Sequence, residues 1–125
     1  MTSNQDVKFI AIVDDDESVQ SALQDLMEAD GLTAKCFGSA EEFLESGLQR
    51  KAACLIVDIR MPGMSGLELQ AKLKADRVNI PIIFITAHGD ARVRMQAMRE
   101  GAAEFLVKPF DDQVLLNRVR AALDI

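Results

Sequence analysis

Residues 9–17 read FIAIVDDDE, an unbroken apolar run that passes directly into four acidic residues. A continuous apolar run is typical of a strand that is buried on both faces of a parallel sheet, and we expect one over residues 8–13. Apolar residues then recur at helical spacing as far as Gly31, a residue suited to follow the end of a helix. The stretch therefore predicts a β-strand, an acidic loop and an amphipathic helix.

This unit of strand, loop and helix repeats along the chain. An amphipathic segment follows each of four further apolar runs, which predict strands over residues 33–37, 54–57, 81–86 and 103–107. Five strands that alternate with five helices predict an α/β fold. We expect a flavodoxin-like (βα)5 three-layer sandwich whose five-stranded parallel sheet has the strand order 2-1-3-4-5.

Polar residues mark the starts of several helices. Ser39 with Glu42 is a capping-box pattern ahead of the second helix. Asp16 is expected to cap the first helix and Asp90 the fourth. The residues expected to share one face of the fourth helix are Ala91, Met95 and Met98.

Length and composition predict one globular domain over residues 1–125. Hydrophobic residues make up 49% of the chain and charged residues 27%, which excludes a disordered chain. The formal net charge of −6 argues against direct contact with nucleic acid or an anionic membrane. If the protein controls a gene, an attached or recruited part must therefore bind the DNA.

The chain shows no pattern of secretion or membrane insertion. Residues 1–8 lack the apolar region of a signal peptide, and residues 80–87 are too short to span a bilayer. Cys36 and Cys54 lie on strands that would be roughly 10 Å apart, too far for a disulfide. Free thiols and the missing signal predict a cytoplasmic protein.

Ionisable and hydroxyl side chains collect where the predicted strands end. Asp14 and Asp15 follow the first strand, Asp58 follows the third, Thr86 ends the fourth and Lys108 follows the fifth. In an open parallel sheet these carboxyl ends meet at one edge, where ligands bind. A single Asp after a strand is more often a helix cap, but three of them at one switch point indicate a site.

Three neighbouring carboxylates require a cation. Two of them about 4 Å apart repel each other by roughly 4 kcal/mol at an effective dielectric of 20. Ligands that are all oxygen atoms suit a hard ion, and Mg²⁺ is the natural one. The chain has no Walker loop to hold a nucleotide. A metal, a carboxylate, a lysine and a hydroxyl instead favour phosphoryl transfer onto the protein itself.

Four strings together resemble the receiver domains of bacterial two-component response regulators, and the resemblance covers essentially the whole chain. Their sequences are most similar to those of FixJ-type receivers, which usually precede a LuxR-type DNA-binding domain. The strings are IVDDDE (residues 12–17), VDIRMPGMSG (57–66), ITAHGD (85–90) and FLVKPF (105–110).

The resemblance implies a role for each residue of the site. Asp58 matches the phospho-acceptor and Lys108 the lysine that pairs with the phosphoryl oxygens. Asp15 matches the acid that binds Mg²⁺ (or Mn²⁺) directly, Asp14 the acid that assists, and the backbone carbonyl of Arg60 the third protein ligand. The implied function is acceptance of a phosphoryl group from a sensor histidine kinase, with no catalysis beyond the domain's own phosphorylation and dephosphorylation.

The resemblance also implies a conformational switch. Thr86 matches a hydroxyl that moves to bond the phosphoryl group, helped by the backbone N–H of Ala87. Phe105 matches an aromatic residue that turns inward. The peptide bond between Lys108 and Pro109 matches one that is commonly cis. Phosphorylation is then expected to change the surface of the fourth helix, fifth strand and fifth helix, which offers a homodimer contact and controls an output such as transcription.

Several alternatives stay open from the sequence. One is a binding module that signals without phosphorylation. Another is a metal-dependent phosphatase, although Arg60 stands where such enzymes place a second acid. Arg60 and His88 can set the lifetime of the phosphorylated state, or His88 can be an exposed loop residue without a role. The arginines of the fourth helix are either solvated or a contact surface; they are Arg92, Arg94 and Arg99.

Overall fold

The structure is a computed structural model that describes residues 8–87 and 89–125. Five strands alternate with five helices along the described chain, as the sequence predicts. The strands are β1 (Phe9–Val13), β2 (Ala34–Phe37), β3 (Ala52–Asp58), β4 (Ile82–Thr86) and β5 (Glu104–Val107). The helices are α1 (Glu17–Ala29), α2 (Ala40–Glu45), α3 (Gly66–Ala75), α4 (Ala91–Arg99) and α5 (Asp112–Leu123), and a short 3-10 helix covers Gln49–Lys51.

All strands pair in parallel in the order β2-β1-β3-β4-β5, which confirms the predicted topology. The sheet separates two apolar clusters. One lies under α2, α3 and α4 and includes Phe43, Leu69 and Phe84. The other lies under α1 and α5 and includes Met27 and Leu115. Because helices cover both faces, every residue of β1 is buried, which explains its unbroken apolar sequence.

Polar side chains cap the helices where the sequence predicts them. Asp16 accepts a hydrogen bond from the Ser18 backbone, Ser39 from Glu42 and Asp90 from Arg92. A reciprocal capping box that the sequence analysis did not identify joins Ser65 and Glu68 at the start of α3. Each such cap stabilises its helix by about 1 kcal/mol, so the loops that carry the strand ends enter the helices at fixed points.

Ala91, Met95 and Met98 share a face of α4, but this face is exposed and is not the one that packs against the core. Met95 is 60% exposed and Met98 39% exposed, whereas Ala97 is fully buried and Val93 packs against the same core. Two apolar stripes coexist on this helix, and periodicity alone does not distinguish them. The small Ala97 is the one that lets the helix approach its neighbours, and the buried Gln70 of α3 donates to its carbonyl oxygen at 3.0 Å.

A close approach joins β3 to α3. A Cβ on Gly66 would clash with the carbonyl oxygen of Asp58 and lie 3.1 Å from Cα of Ile59. The Gly66 backbone N–H also donates to the Ile59 carbonyl oxygen at 2.9 Å. Only glycine therefore lets the first turn of α3 lie directly against the end of β3.

Both cysteines are free thiols, as predicted. Cys54 is buried in the sheet, and this burial raises the pKa of its thiol to about 12. Cys36 is partly buried on β2. Within the described ranges, no helix has the length and apolar character needed to cross a membrane.

Candidate functional site

The ends of β1 and β3 bring the predicted acids together. The two strands are neighbours, and Val13 pairs with Val57 one residue before each strand reaches its acid. Carboxylate oxygens of Asp14, Asp15 and Asp58 lie within 4.8 Å of one another. The strand register therefore builds the acidic cluster that the sequence predicts at the switch point.

Asp14 is almost wholly buried, with 1% of its side chain exposed. Its Oδ1 accepts a hydrogen bond from the Asp16 backbone N–H at 2.9 Å, and its carbonyl oxygen accepts one from Gln20 Nε2 at 2.7 Å. Its Oδ2 is buried and accepts no hydrogen bond. An unsatisfied buried carboxylate oxygen is costly, so this atom is suited to receive a cation.

Asp58 is more accessible, with 14% of its side chain exposed. Its Oδ1 accepts a hydrogen bond from the Arg60 backbone N–H at 3.2 Å. Lys108 lies between the two acids, because its Nζ is 3.9 Å from Asp58 Oδ2 and 3.8 Å from Asp14 Oδ2. Asp58 thus combines access from solvent with a positive charge close to its carboxylate.

Burial raises the pKa of both Asp14 and Asp58 above the usual value of an aspartate. Desolvation is the main cause for each, since it penalises the charged form. For Asp14 a hydrogen bond from the Asp16 backbone opposes the rise, and for Asp58 one from the Arg60 backbone does so. The charge of Lys108 also lowers both pKa values, while the neighbouring acids raise them.

Thr86 ends β4, and Phe105 lies on the neighbouring strand β5. Thr86 is 1% exposed, and its carbonyl oxygen accepts a hydrogen bond from the Lys108 backbone at 2.7 Å. The peptide bond between Lys108 and Pro109 is cis. The Phe105 ring is already buried, 6.5 Å from the Phe84 ring, with the Arg94 guanidinium 5.9 Å from its centre.

The donor set of the cluster fits a hard divalent cation. Three carboxylates supply oxygen ligands, and the buried Oδ2 of Asp14 accepts no hydrogen bond. Neither cysteine belongs to this group of potential ligands. These properties suit Mg²⁺ or Mn²⁺ rather than zinc. A cation would also offset the repulsion among the acids that Lys108 only partly offsets.

Two contacts that position the site are not predictable from the sequence pattern. Gln20 holds the carbonyl group of Asp14 from the first turn of α1, and Glu41 Oε2 accepts a hydrogen bond from the Met64 backbone at 2.9 Å. The second contact ties α2 to the loop between β3 and α3. No local pattern reveals such pairs, because the partners come from separate elements. The predicted role of His88 concerns a residue outside the described ranges.

The fold and the site together define a flavodoxin-like protein with an acidic cluster at its switch point. The family of the response regulator receiver domain matches residues 10–120. The chain belongs to this response regulator receiver domain family.

Similar proteins agree with this assignment. The chain is 45% identical over 116 residues to Nodulation protein W of Bradyrhizobium diazoefficiens, covering 93% of the chain and 51% of that protein. It is 46% identical over 122 residues to the response regulator protein TmoT of Ectopseudomonas mendocina, covering 98% of the chain and 56% of TmoT. The transcriptional regulatory protein FixJ of Azorhizobium caulinodans is 42% identical over 114 residues, covering 91% of the chain and 54% of FixJ. The chain thus spans about half the length of the curated relatives it matches.

Solved structures show the same fold. The crystal structure of FixJ-N superposes with a TM-score of 0.84 at 38% identity, covering 94% of each chain. The response regulator StyR superposes with a TM-score of 0.87 at 45% identity, covering 94% of this chain and 59% of StyR.

Proposed function

We propose that Asp58 accepts a phosphoryl group from a phosphohistidine of a sensor histidine kinase, within a single receiver domain formed by residues 1–125. The observation that carries this proposal is the position of Asp58. Its carboxylate is accessible at the switch point, 3.9 Å from Lys108 and within 4.8 Å of two further acids. The other acid that contacts the lysine, Asp14, is 1% exposed and cannot meet a phosphodonor as readily.

The transfer is a substitution at phosphorus. A carboxylate oxygen of Asp58 attacks the phosphorus atom, a P–O bond forms, the P–N bond to the donor imidazole breaks, and the imidazole leaves. Negative charge is spread over the equatorial oxygens during this step. The Lys108 ammonium group is close enough to stabilise that charge from one side.

A bound Mg²⁺ or Mn²⁺ ion would supply the remaining positive charge for the phosphoryl oxygens. Asp14, Asp15, Asp58 and the backbone carbonyl of Arg60 would hold it. Asp14 is kept in place for this role by two hydrogen bonds, one to its side chain from Asp16 and one to its carbonyl oxygen from Gln20. The domain would catalyse no reaction other than its own phosphorylation and dephosphorylation.

Signalling would follow from contacts that the phosphoryl group makes. A change of a two-state equilibrium from 1:99 to 99:1 requires about 5.5 kcal/mol. One charge-assisted hydrogen bond contributes about 1.5–3 kcal/mol, so one contact is insufficient. We therefore assign the switch to Thr86 and Lys108 together, with the Ala87 N–H assisting. Movement of Thr86 would then alter the packing around the buried ring of Phe105, which would respond as the aromatic member of the switch.

The output surface would be the face formed by α4, β5 and α5. Met95 and Val107 expose apolar side chains there, which suits a homodimer contact that forms on phosphorylation. The relative FixJ is a transcriptional regulatory protein, and this chain spans 54% of its length. We propose that the domain regulates transcription in the cytoplasm through an attached DNA-binding domain. With a net charge of −6, the domain itself would bind neither DNA nor an anionic membrane.

Phosphate incorporation tests the acceptor. The protein is incubated with Mg²⁺ and acetyl phosphate or phosphoramidate, and the added mass is measured by intact-protein mass spectrometry. The wild type should gain one phosphoryl group and Asp58→Asn none, whereas the matched variant Asp25→Asn, altered on the exposed face of α1, should behave like the wild type. Undiminished incorporation into Asp58→Asn would exclude Asp58 as the acceptor.

A further inference from the structure

A cavity lies at the edge of the sheet opposite the acidic cluster, where β3 and β4 begin. Its volume is about 600 Å³, and its apolar lining residues include Ala52, Pro81 and Leu123. Asp58 ends β3 and Thr86 ends β4, so this cavity is separated from the acidic cluster by the full length of both strands. It shares no lining residue with the acidic cluster.

The cavity is basic in an acidic protein. Lys8, Arg50 and Arg77 line it, and none of its described lining residues is an Asp or a Glu. The whole chain has 20 acidic residues against 14 basic ones. Three like charges around one concave space repel one another, and an anion between them removes that repulsion.

Arg77 has a backbone conformation that residues other than glycine rarely adopt. Its φ is +58°, in the left-handed region, directly after the residue that caps the end of α3. The corresponding positions after α1 and α4 hold Gly31 and Gly101, which adopt such angles without steric cost. At the end of α3 an arginine stands where glycine would fit better, and this arginine is one of the residues that line the cavity.

Arg50 gives the basic group a fixed position. Its guanidinium donates hydrogen bonds to the carbonyl oxygens of Asp76 at 2.9 Å and Arg77 at 3.5 Å. These bonds satisfy carbonyl groups at the end of α3 that have no partner within the helix, and they hold the arginine at the cavity rim. A guanidinium has five N–H donors, so donors remain available for a ligand.

We propose that this cavity binds a phosphate monoester that carries an apolar group. Two arginines and one lysine supply the positive charge and the N–H donors that a phosphate dianion requires. The apolar lining residues, which include Ala52, Pro81 and Leu123, suit the apolar group of such an ester. The volume exceeds what an inorganic ion fills and lies in the range of pockets for small organic ligands. The site is independent of phosphoryl transfer at Asp58.

Fluorescence titration of the full chain with 1-naphthyl phosphate tests the site, with EDTA present so that no divalent ion recruits the ester to the acidic cluster. Saturable binding should weaken at least tenfold in Arg77→Gly and in Lys8→Gln. It should be unchanged in Lys51→Gln, where an exposed cation next to Arg50 does not line the cavity. It should persist in Asp58→Asn, so failure of this proposal and of the acceptor assignment can be told apart.

Two further ligands complete the experiment. 1-Naphthol should bind at least tenfold more weakly than the phosphate ester, and equal binding would overturn the charge argument. 1-Naphthoate carries a single negative charge, so equal or tighter binding would overturn the assignment to phosphate esters. The thermal melting temperature of Arg77→Gly separates loss of the site from misfolding, because this variant should melt no lower than the wild type. Unchanged affinity in a folded Arg77→Gly would refute the proposal.

Discussion

The carboxyl edge and the amino edge of the sheet differ in charge and in how much that charge lowers the stability of the folded state. At the carboxyl ends, Asp14 is buried among other acids with one oxygen that accepts no hydrogen bond. At the amino ends, Arg50 and Arg77 are exposed at a cavity rim. Exposed cations remain hydrated and cost little, whereas buried carboxylates lose hydration. The acidic cluster is therefore the place where the molecule gives up stability to keep a reactive arrangement.

Gly66→Ala should have the largest effect, because it alters the backbone that holds the acidic cluster. The new Cβ would clash with the carbonyl oxygen of Asp58, and backbone atoms on both sides cannot move away cheaply. We expect a loss of about 3 kcal/mol in the free energy of unfolding, measured by urea denaturation. Gly38→Ala is the matched control, since its Cβ would approach only the ends of two flexible side chains, Glu42 Oε1 at 3.4 Å and Gln20 Nε2 at 3.9 Å. Equal stability of Gly66→Ala and wild type would contradict the close approach.

Lys108→Gln removes the cation at the carboxyl edge. Phosphorylation by a small phosphodonor should slow about 100-fold, the usual cost of losing one group that stabilises transition-state charge. The pKa values of Asp14 and Asp58 should rise further, because the lysine charge lowers both. The rate is followed by mass spectrometry, with Lys51→Gln as the control for loss of a surface charge. A rate within twofold of wild type would exclude Lys108 from charge stabilisation.

Asp14→Asn should stabilise the metal-free protein. Burial raises the folded-state pKa of Asp14 above 3.8, so the folded state binds the proton more tightly than the unfolded state. The stability from this group is therefore present at low pH and is lost as the pH rises through its folded pKa. At pH 7 the variant should gain about 1 kcal/mol, since it removes one of three clustered negative charges.

The pH dependence checks the sign of that effect. Thermal melts in EDTA should show the gain of Asp14→Asn at pH 7 and a smaller gain as the pH approaches 4. Millimolar Mg²⁺ should raise the melting temperature of wild type more than that of the variant. Asp25→Asn, on the exposed face of α1, should show neither response. A variant that is less stable than wild type in EDTA at pH 7 would mean that the buried carboxylate is already compensated.

The sequence predicted the carboxyl edge much better than the amino edge, for a physical reason. In a parallel sheet every strand end that carries an acid arrives at the same edge, so Asp14 and Asp58 could be placed together from strand positions alone. Lys8 directly precedes β1, but Arg77 and Arg50 lie outside the strands, where the path of the chain depends on helix packing. The contact from Gln20 to the Asp14 backbone and the choice between two apolar stripes on α4 also depend on packing, which periodicity does not encode.

Arg77→Gly should have the smallest effect and the opposite sign to most substitutions. Relief of the left-handed backbone at φ +58° favours the folded state by about 1 kcal/mol, while the extra freedom of glycine in the unfolded chain offsets roughly half of that gain. A net gain of about 0.5 kcal/mol should appear in urea denaturation. The reciprocal test is Gly31→Ala at φ +82°, where no atom lies within 4 Å of the new Cβ, so its loss of about 1 kcal/mol reports backbone conformation alone. A loss of stability in Arg77→Gly would instead mean that the arginine side chain stabilises the amino edge, and the contrast between a costly acidic edge and an inexpensive basic edge would then become sharper.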